Sequence, residues 1–384
     1  MNFKTFIKKY TMVIALLVVF VFFSVLTGGK LILAQNISNL LLQNAYVLVM
    51  ACGMLLCILT GGNVDLSIGS TLCLSAALAS KIMDLKMSAG MAIFVALIVS
   101  LVIGIFQGWL IGYIHIPPFI CTLAGMFLYR GLARAVLDSR TISITNKKYL
   151  NLFASYIKLT GEENGKCTSA LIVGIIIAVL LAVYTVISRQ RRAKLGYDIG
   201  SNLAAYAKIA VIDLLIVLYA WKLSSYKGIP VMLIWILVVV LIFAFLTSTT
   251  VFGRYFYAVG GNEKATKLSG IDPRKVYFWA YFLMSLLAGL SGLLVAARIG
   301  SVDGNLGTSY EMDAIASCFI GGASAYGGSG SVPGIMVGAI LLGVINQGMS
   351  IYGLSDQWQY VVKGAVLLIA VVFDVVSNHK TGKS

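Results

Sequence analysis

Charge is what this sequence has least of. Only 11% of its 384 residues are Asp, Glu, Lys or Arg, against 59% hydrophobic. An ordinary soluble domain carries about 25% charged residues. So little polar sequence cannot cover a globular surface, which excludes a folded catalytic domain beside the apolar part. Histidine is nearly absent, with two residues, and the six cysteines form no CxxC pair and no Cys/His cluster. Neither a zinc site nor a disulfide framework is therefore supported, and no metal or cofactor is expected. Cys52, Cys57, Cys73, Cys121 and Cys318 lie in apolar runs, where a small polarizable side chain packs well; Cys167 is expected in a long loop. The phosphate-loop pattern GxxxxGK[ST] is missing, so the chain should not hydrolyse ATP by itself. No segment carries a series of acids suited to proton relay, which counts against an ion-driven carrier. Paired catalytic acids and nucleophile constellations are also lacking, which counts against a membrane-embedded enzyme.

Long apolar runs are what the sequence has instead. A membrane crossing takes about 20 mostly apolar residues. Twelve segments qualify: 10–26, 39–59, 64–83, 88–114, 117–137, 170–188, 206–224, 229–247, 276–297, 311–326, 332–350 and 357–376. The fold class expected is an all-α polytopic membrane protein, a single transmembrane domain over 1–384. The N-terminus has the basic start and apolar run of a signal peptide but no small-x-small cleavage site, so it reads as an uncleaved first span. Twelve is even, which puts both termini on one side. With both termini cytoplasmic, inside segments hold 14 of the 29 Lys and Arg, outside segments nine, and the run RQRRAK at 189–194 falls inside. The positive-inside rule therefore selects that orientation, and the net charge of +15 reads as topology rather than nucleic-acid binding. Two loops stand out, a polar outer one at 139–169 and a cytoplasmic one at 248–275.

The few polar residues gather at breaks in the apolar runs. GGNVDLSIGS at 61–70 brings Asn63, Asp65, Ser67 and Ser70 to membrane depth. Irregular backbone there is tolerated only where it is buried in protein or lines a water-filled cavity, and an ionisable residue there is a functional candidate. Asn63 or Asp65 would also cap the following helix. Residues 321–334 hold six glycines in fourteen and cannot form a straight helix. A faint internal echo relates 104–113, containing Gln107, to 343–352, containing Asn346 and Gln347. Broken helices with inverted repeats mark alternating-access transporters.

In the inner loop, 262–268 can make two helical turns. Asn262 is the cap, Glu263 pairs with Lys267 at i,i+4, and Gly270 is the stop. Such a short amphipathic helix makes a docking knob. Arg130, Arg134 and Asp138 fall on one face and suggest an ion pair with snorkelling. His115, before two prolines, reads as structural. Asp213 with Lys208 and Lys222, and the lone Lys363 and Asp374, read as buried pairs or interface anchors.

Four motifs in order, GGNVDLSIGS, PPFICTLAGMFLYRGLA, FGRYFYAVGGNEKATKLSGI and the run from MDAIASCFIGGASAYGGSGSVPG to VVFD, resemble the sugar-type permeases of bacterial ABC importers. The two spans added between 139 and 228 look like the xylose and multiple-monosaccharide subgroup. Asn63 and Val64 stand as an insertion where that family usually has Ile before the acid at Asp65. Thr266 stands where it often has a second Ala.

The resemblance implies a monosaccharide permease of the bacterial cytoplasmic membrane, working as a homodimer among membrane lipid. Its partners would be a cytoplasmic sugar-type ABC ATPase and an extracytoplasmic sugar-binding protein. Asn63, Asp65, Ser67, Gln107, Phe119, Thr122, Asn346 and Gln347 are the pathway candidates. Gly260, Asn262, Glu263, Ala265, Thr266, Gly270 and Ile271 are the ATPase-coupling candidates. A branched-chain amino acid or nucleoside permease and an ion-coupled sugar carrier remain the rivals, and the unbroken NEKATKLSGI run favours sugar.

Overall fold

The computed structural model describes residues 3–157, 167–197 and 201–379. In chain order the helices are α1 (Phe3–Leu26), α2 (Ala34–Gln43), α3 (Ala45–Leu59), α4 (Ile68–Asp84), α5 (Ala89–Gly112), α6 (Pro118–Val136), α7 (Lys147–Phe153) and α8 (Thr168–Lys194). Then follow α9 (Asn202–Ser224), α10 (Val231–Thr249), α11 (Val251–Gly261), α12 (Glu263–Leu268), α13 (Pro273–Ile299), α14 (Tyr310–Ile320), α15 (Val332–Tyr352) and α16 (Asp356–His379). Strands among the described residues are two-residue ribbons. β1 (Ile142–Ser143) pairs antiparallel with β4 (Ser301–Val302), and β2 (Tyr156–Ile157) with β3 (Ile229–Pro230). Among the described residues, seven helical segments are long and apolar enough to cross a membrane. The other five of the twelve expected segments, α1, α4, α9, α14 and α16, are helical too.

The centre is built on α3 and α13. Every residue of α3 is buried, in a sequence without charge that mixes small and soft side chains. Gly53 lets α13 approach closely: a Cβ there would lie 2.7 Å from Met284 Sδ. On its other side α13 meets α5 along Gly104, Gly108 and Gly112. A Cβ at these positions would lie 2.9, 2.7 and 2.5 Å from the α13 backbone at Phe282, Phe278 and Arg274. Small residues every fourth position are how membrane helices bring their backbones together without a hydrophobic driving force. The rim helices α5, α8 and α10 leave bulky side chains such as Phe94, Ile176 and Leu241 exposed, as lipid-facing surfaces do.

Four expectations need correction. The second span begins at α2 and is interrupted at Asn44, whose amide donates to Leu40 O at 2.6 Å. The third starts at Ile68 rather than 64, which leaves 60–67 without regular helix. The tenth is a half-helix: α14 has 11 residues, about 16 Å, against a hydrocarbon thickness of about 30 Å. The outer 139–169 segment is not a bare loop, since α7 and both ribbons organise it; residues 158–166 lie outside the described part. Cys167 is accordingly buried, its N–H donating to Ser224 O at 2.8 Å and its Sγ 2.9 Å from Ser169 Oγ.

The α5–α13 seam gives a direct test. Gly108→Leu should cost about 1–3 kcal/mol through overpacking, read as a lower Tm of the detergent-purified chain. Gly131→Leu, where a side chain meets open space, should leave Tm unchanged.

Candidate functional site

The break after α3 is closed by its own side chains. Asp65 is fully buried, and its Oδ1 accepts from Ser67 N at 2.8 Å and Ser67 Oγ at 2.6 Å. Asp65 thus fixes the turn that leads into α4, while Asn63 turns back to donate to Thr60 O at 3.3 Å. Gln107 of α5 joins by donating to Ser67 Oγ at 2.8 Å. Gly125 of α6 lies against this pair; a Cβ there would stand 2.6 Å from Gln107 Nε2. On α6, one turn back, Thr122 is buried and donates to Pro118 O at 2.9 Å, and Phe119 is 57% exposed. Six of the eight pathway candidates therefore collect where α4, α5 and α6 meet. Asn346 and Gln347 do not join them. They lie on α15, which packs on α1 and α14, and Gln347 donates to Asn36 O of α2 at 2.7 Å.

Two acids missed in the sequence lie close to this region. Gly69 leaves no room for a side chain against Gly307 O and Glu311 Oε2, so the starts of α4 and α14 abut. Glu311 and Asp313 are both buried in the first turn of α14. Asp313 Oδ2 accepts from Tyr46 OH of α3 at 2.6 Å and pairs with Lys363 of α16 at 3.1 Å. The Tyr46 ring also stacks on Tyr310, centroids 3.7 Å apart. Two acids on one turn inside an apolar run were the signal, because such residues are expensive in a membrane unless paired.

The basic face of α6 pairs differently from expectation. Arg130 donates to the carbonyls of Gly304 and Leu306, and Arg134 to Asn305 Oδ1 at 3.0 Å. Asp138 pairs with Lys81 at 2.8 Å, and that hydrogen-bonded ammonium holds its carboxyl below the usual range. The side chain of Asp374 lies outside the described residues.

The segment after α10 is a folded lever. Thr250 Oγ1 caps α11 by accepting from Gly253 N at 2.9 Å, and Asn262 Oδ1 caps α12 by accepting from Ala265 N at 2.9 Å. Gly270 ends the turn with φ +85°, the left-handed geometry of a helix stop, and Ile271 N donates to Thr266 O at 3.3 Å. Thr266 is the buried residue of α12; its hydroxyl donates to Ala258 O and Asn262 O, each at 2.8 Å, and clips α12 to α11. Glu263 is not paired with Lys267. It accepts from Tyr277 OH of α13 at 3.0 Å. Both residues border a cavity of about 180 Å³ shared with Asn63, His115 and Pro117. Leu268 was overlooked: it is 89% exposed, an apolar tip on a polar helix.

Four close contacts, each with a glycine, tie this lever and the breaks together. At Gly260 a Cβ would run into Leu59 O, and at Gly62 into Ala325 O. At Gly327 it would lie 2.5 Å from Gly61, and Gly328 N donates to Leu59 O at 3.0 Å. The end of α3, the end of α11 and the turn after α14 therefore touch backbone to backbone.

Broken helices at membrane depth, a buried polar knot at the break and an exposed helical knob joined to it define a membrane transport subunit. The chain belongs to the family described as branched-chain amino acid transport system / permease component, whose model matches residues 36–371. It is 32% identical to the xylose transport system permease protein XylH of Escherichia coli, over 98% of this chain and 93% of that protein. It is 33% identical to XylH of Haemophilus influenzae, over 97% and 98%. It is also 32% identical to the ribose import permease protein RbsC of Escherichia coli, over 97% and 95%. No solved structure matches the chain.

The acid in α14 makes the packing testable. Lys363→Met leaves a buried carboxylate without its cation and should cost about 3 kcal/mol, read as a lower Tm. Adding Asp313→Asn to it should restore most of that loss.

Proposed function

We propose that this chain is the membrane-spanning permease of an ATP-driven monosaccharide importer, of xylose or multiple-sugar type. The substrate class rests on the relatives, which are named for xylose and ribose. It acts in the bacterial cytoplasmic membrane as a homodimer with both termini cytoplasmic. A separate ATPase supplies energy and an extracytoplasmic binding protein delivers the sugar.

The observation that carries the mechanism is the link from α12 to the break. The tip of α12 is exposed, Thr266 fixes it to α11, and Gly260 presses α11 on the last carbonyl of α3. An ATPase that grips Leu268, Glu263 and Ala265 therefore moves α3 and the 60–67 turn together with α11. Asn262, Gly270 and Ile271 keep the knob in shape. At the break, Asp65, Ser67 and Gln107 are bonded to one another and buried. The wall they form with Asn63 and Thr122 opens only when α4 and α6 part. Phe119, already exposed, offers an aromatic face, and freed hydroxyl and amide groups offer the hydrogen bonds a sugar needs. Asn346 and Gln347 belong to a second polar site on α15, which the sugar would meet only if both faces line the path.

Glu263→Ala together with Gly270→Ala should uncouple transport. In vesicles holding the full complex, sugar uptake should fall about tenfold, the size of an ordinary coupling energy, while ATP hydrolysis and membrane levels persist. Wild-type uptake would remove the coupling assignment. Uptake of leucine rather than xylose or ribose would replace the sugar reading, and uptake driven by a proton or sodium gradient without ATPase would replace the ABC reading.

A further inference from the structure

The first turns of α13 are held still. Asp272 Oδ1 caps the helix by accepting from Arg274 N at 3.1 Å, and Gly112 and Gly108 of α5 lie against its backbone at Arg274 and Phe278. Tyr277 stands in this fixed stretch, half-buried. Its hydroxyl donates to Glu263 Oε2 at 3.0 Å, on the first residue of α12. α12 itself is exposed apart from Thr266. The bond therefore joins a fixed helix to the exposed knob.

The same hydroxyl has a second polar neighbour. Asn63 Nδ2 and Tyr277 OH stand on one side of Gly61, 3.7 and 3.9 Å from where a Cβ there would lie, and the Asn63 amide interacts with the hydroxyl. Asn63, Glu263 and Tyr277 border the cavity of about 180 Å³ together with Pro117 and Pro118, at the start of the helix that carries Phe119 and Thr122. Asn63 is also two residues from Asp65, whose carboxylate is bonded to Ser67. A phenol has one proton to donate, and a carboxylate accepts it more strongly than an amide does. Glu263 therefore takes it while α12 lies in reach, and Asn63 takes it once α12 carries Glu263 away.

We propose that Tyr277 is a positioning residue of ATP-driven transport, whose hydroxyl passes from Glu263 of the knob to the side-chain carbonyl of Asn63 when the ATPase draws α12 away. The exchange pulls Asn63 toward α13, and with it the turn that holds Asp65. It rests on the reading of α12 as the element an ATPase grips. It adds a route through α13 to the one that runs through Thr266, α11 and Gly260, and it gives the break two discrete states.

The test measures sugar moved per ATP hydrolysed in vesicles holding the full complex, with xylose or ribose, whichever the wild-type complex takes up. Tyr277→Phe keeps the ring and removes the hydroxyl. It should lower the ratio about fivefold, the low end of an ordinary coupling energy, while ATP hydrolysis and membrane levels persist. Tyr277→Phe with Asn63→Ala should fall no further than Asn63→Ala alone, because the two share one interaction. Tyr149→Phe is the control. It removes a hydroxyl that donates to Leu293 O of the same helix at 2.8 Å, sixteen residues and about 24 Å from Tyr277. It should lower Tm and leave the ratio unchanged. A wild-type ratio in Tyr277→Phe, losses that multiply in the double variant, or an equal loss in Tyr149→Phe would overturn the proposal. Glu263→Ala with Gly270→Ala in the same vesicles separates it from the reading beneath it. If that variant uncouples and Tyr277→Phe does not, the exchange alone falls; if neither uncouples, the knob assignment falls and takes the exchange with it.

Discussion

Backbone resting on backbone, at the point where Gly62, Gly260, Gly327 and Gly328 let three chain segments touch, is the constraint on which this structure hangs. Two of these contacts meet α3, a helix buried along its whole length, at its last residue, Leu59. Packed interiors respond to displacement as discrete rearrangements rather than by continuous yielding. A force arriving at α12 therefore has no soft layer of side chains in which to dissipate before it reaches the break that holds Asp65. The same rigidity explains why α11, which no apolar run announced, is needed: it carries the exposed knob back to the centre.

Around this junction three of the charged groups follow one rule. In hydrocarbon every charge needs its partner close by. Asp313 has Tyr46 and Lys363, Asp65 has the Ser67 amide and hydroxyl, and Arg130 has two carbonyls of the 303–309 strap. These bonds join elements far apart in the chain, α3 with α14 and α16, α6 with the strap after α13. They do the positioning that a soluble protein leaves to its hydrophobic core. The α8–α9 hairpin stands apart from this network and gathers Arg189, Arg191, Arg192 and Lys194 at the end of α8.

What could be read in the sequence was what depends on neighbours a few residues away. The apolar runs placed the helices, Asn262 was legible as a cap and Gly270 as a stop, and the glycine clusters at 61–62 and 321–330 marked the breaks. What stayed hidden depends on partners across the fold. Glu263 stood four residues from Lys267 yet takes Tyr277, fourteen residues on; Asp138 takes Lys81, and Asp313 takes Lys363. Helix length was misread at α14 because hydropathy cannot tell a half-helix followed by glycines from a full span. Burial was legible only in part. The small and soft composition of α3 distinguishes it from the bulky α10, but Gln107 and Gln347 look alike in sequence and sit in different neighbourhoods.

The Asp313–Lys363 pair has a consequence for how the chain is made. A ribosome delivers α3 with Tyr46 first, then α14 with Asp313, and α16 with Lys363 last. Until α16 enters the membrane, the acid has one hydroxyl for company and an unbalanced charge. The element that neutralises the interior thus follows the ones whose charge it balances. A chain interrupted before α16 would carry its mark of incompleteness in the middle, as an acid on α14 without the cation that balances it.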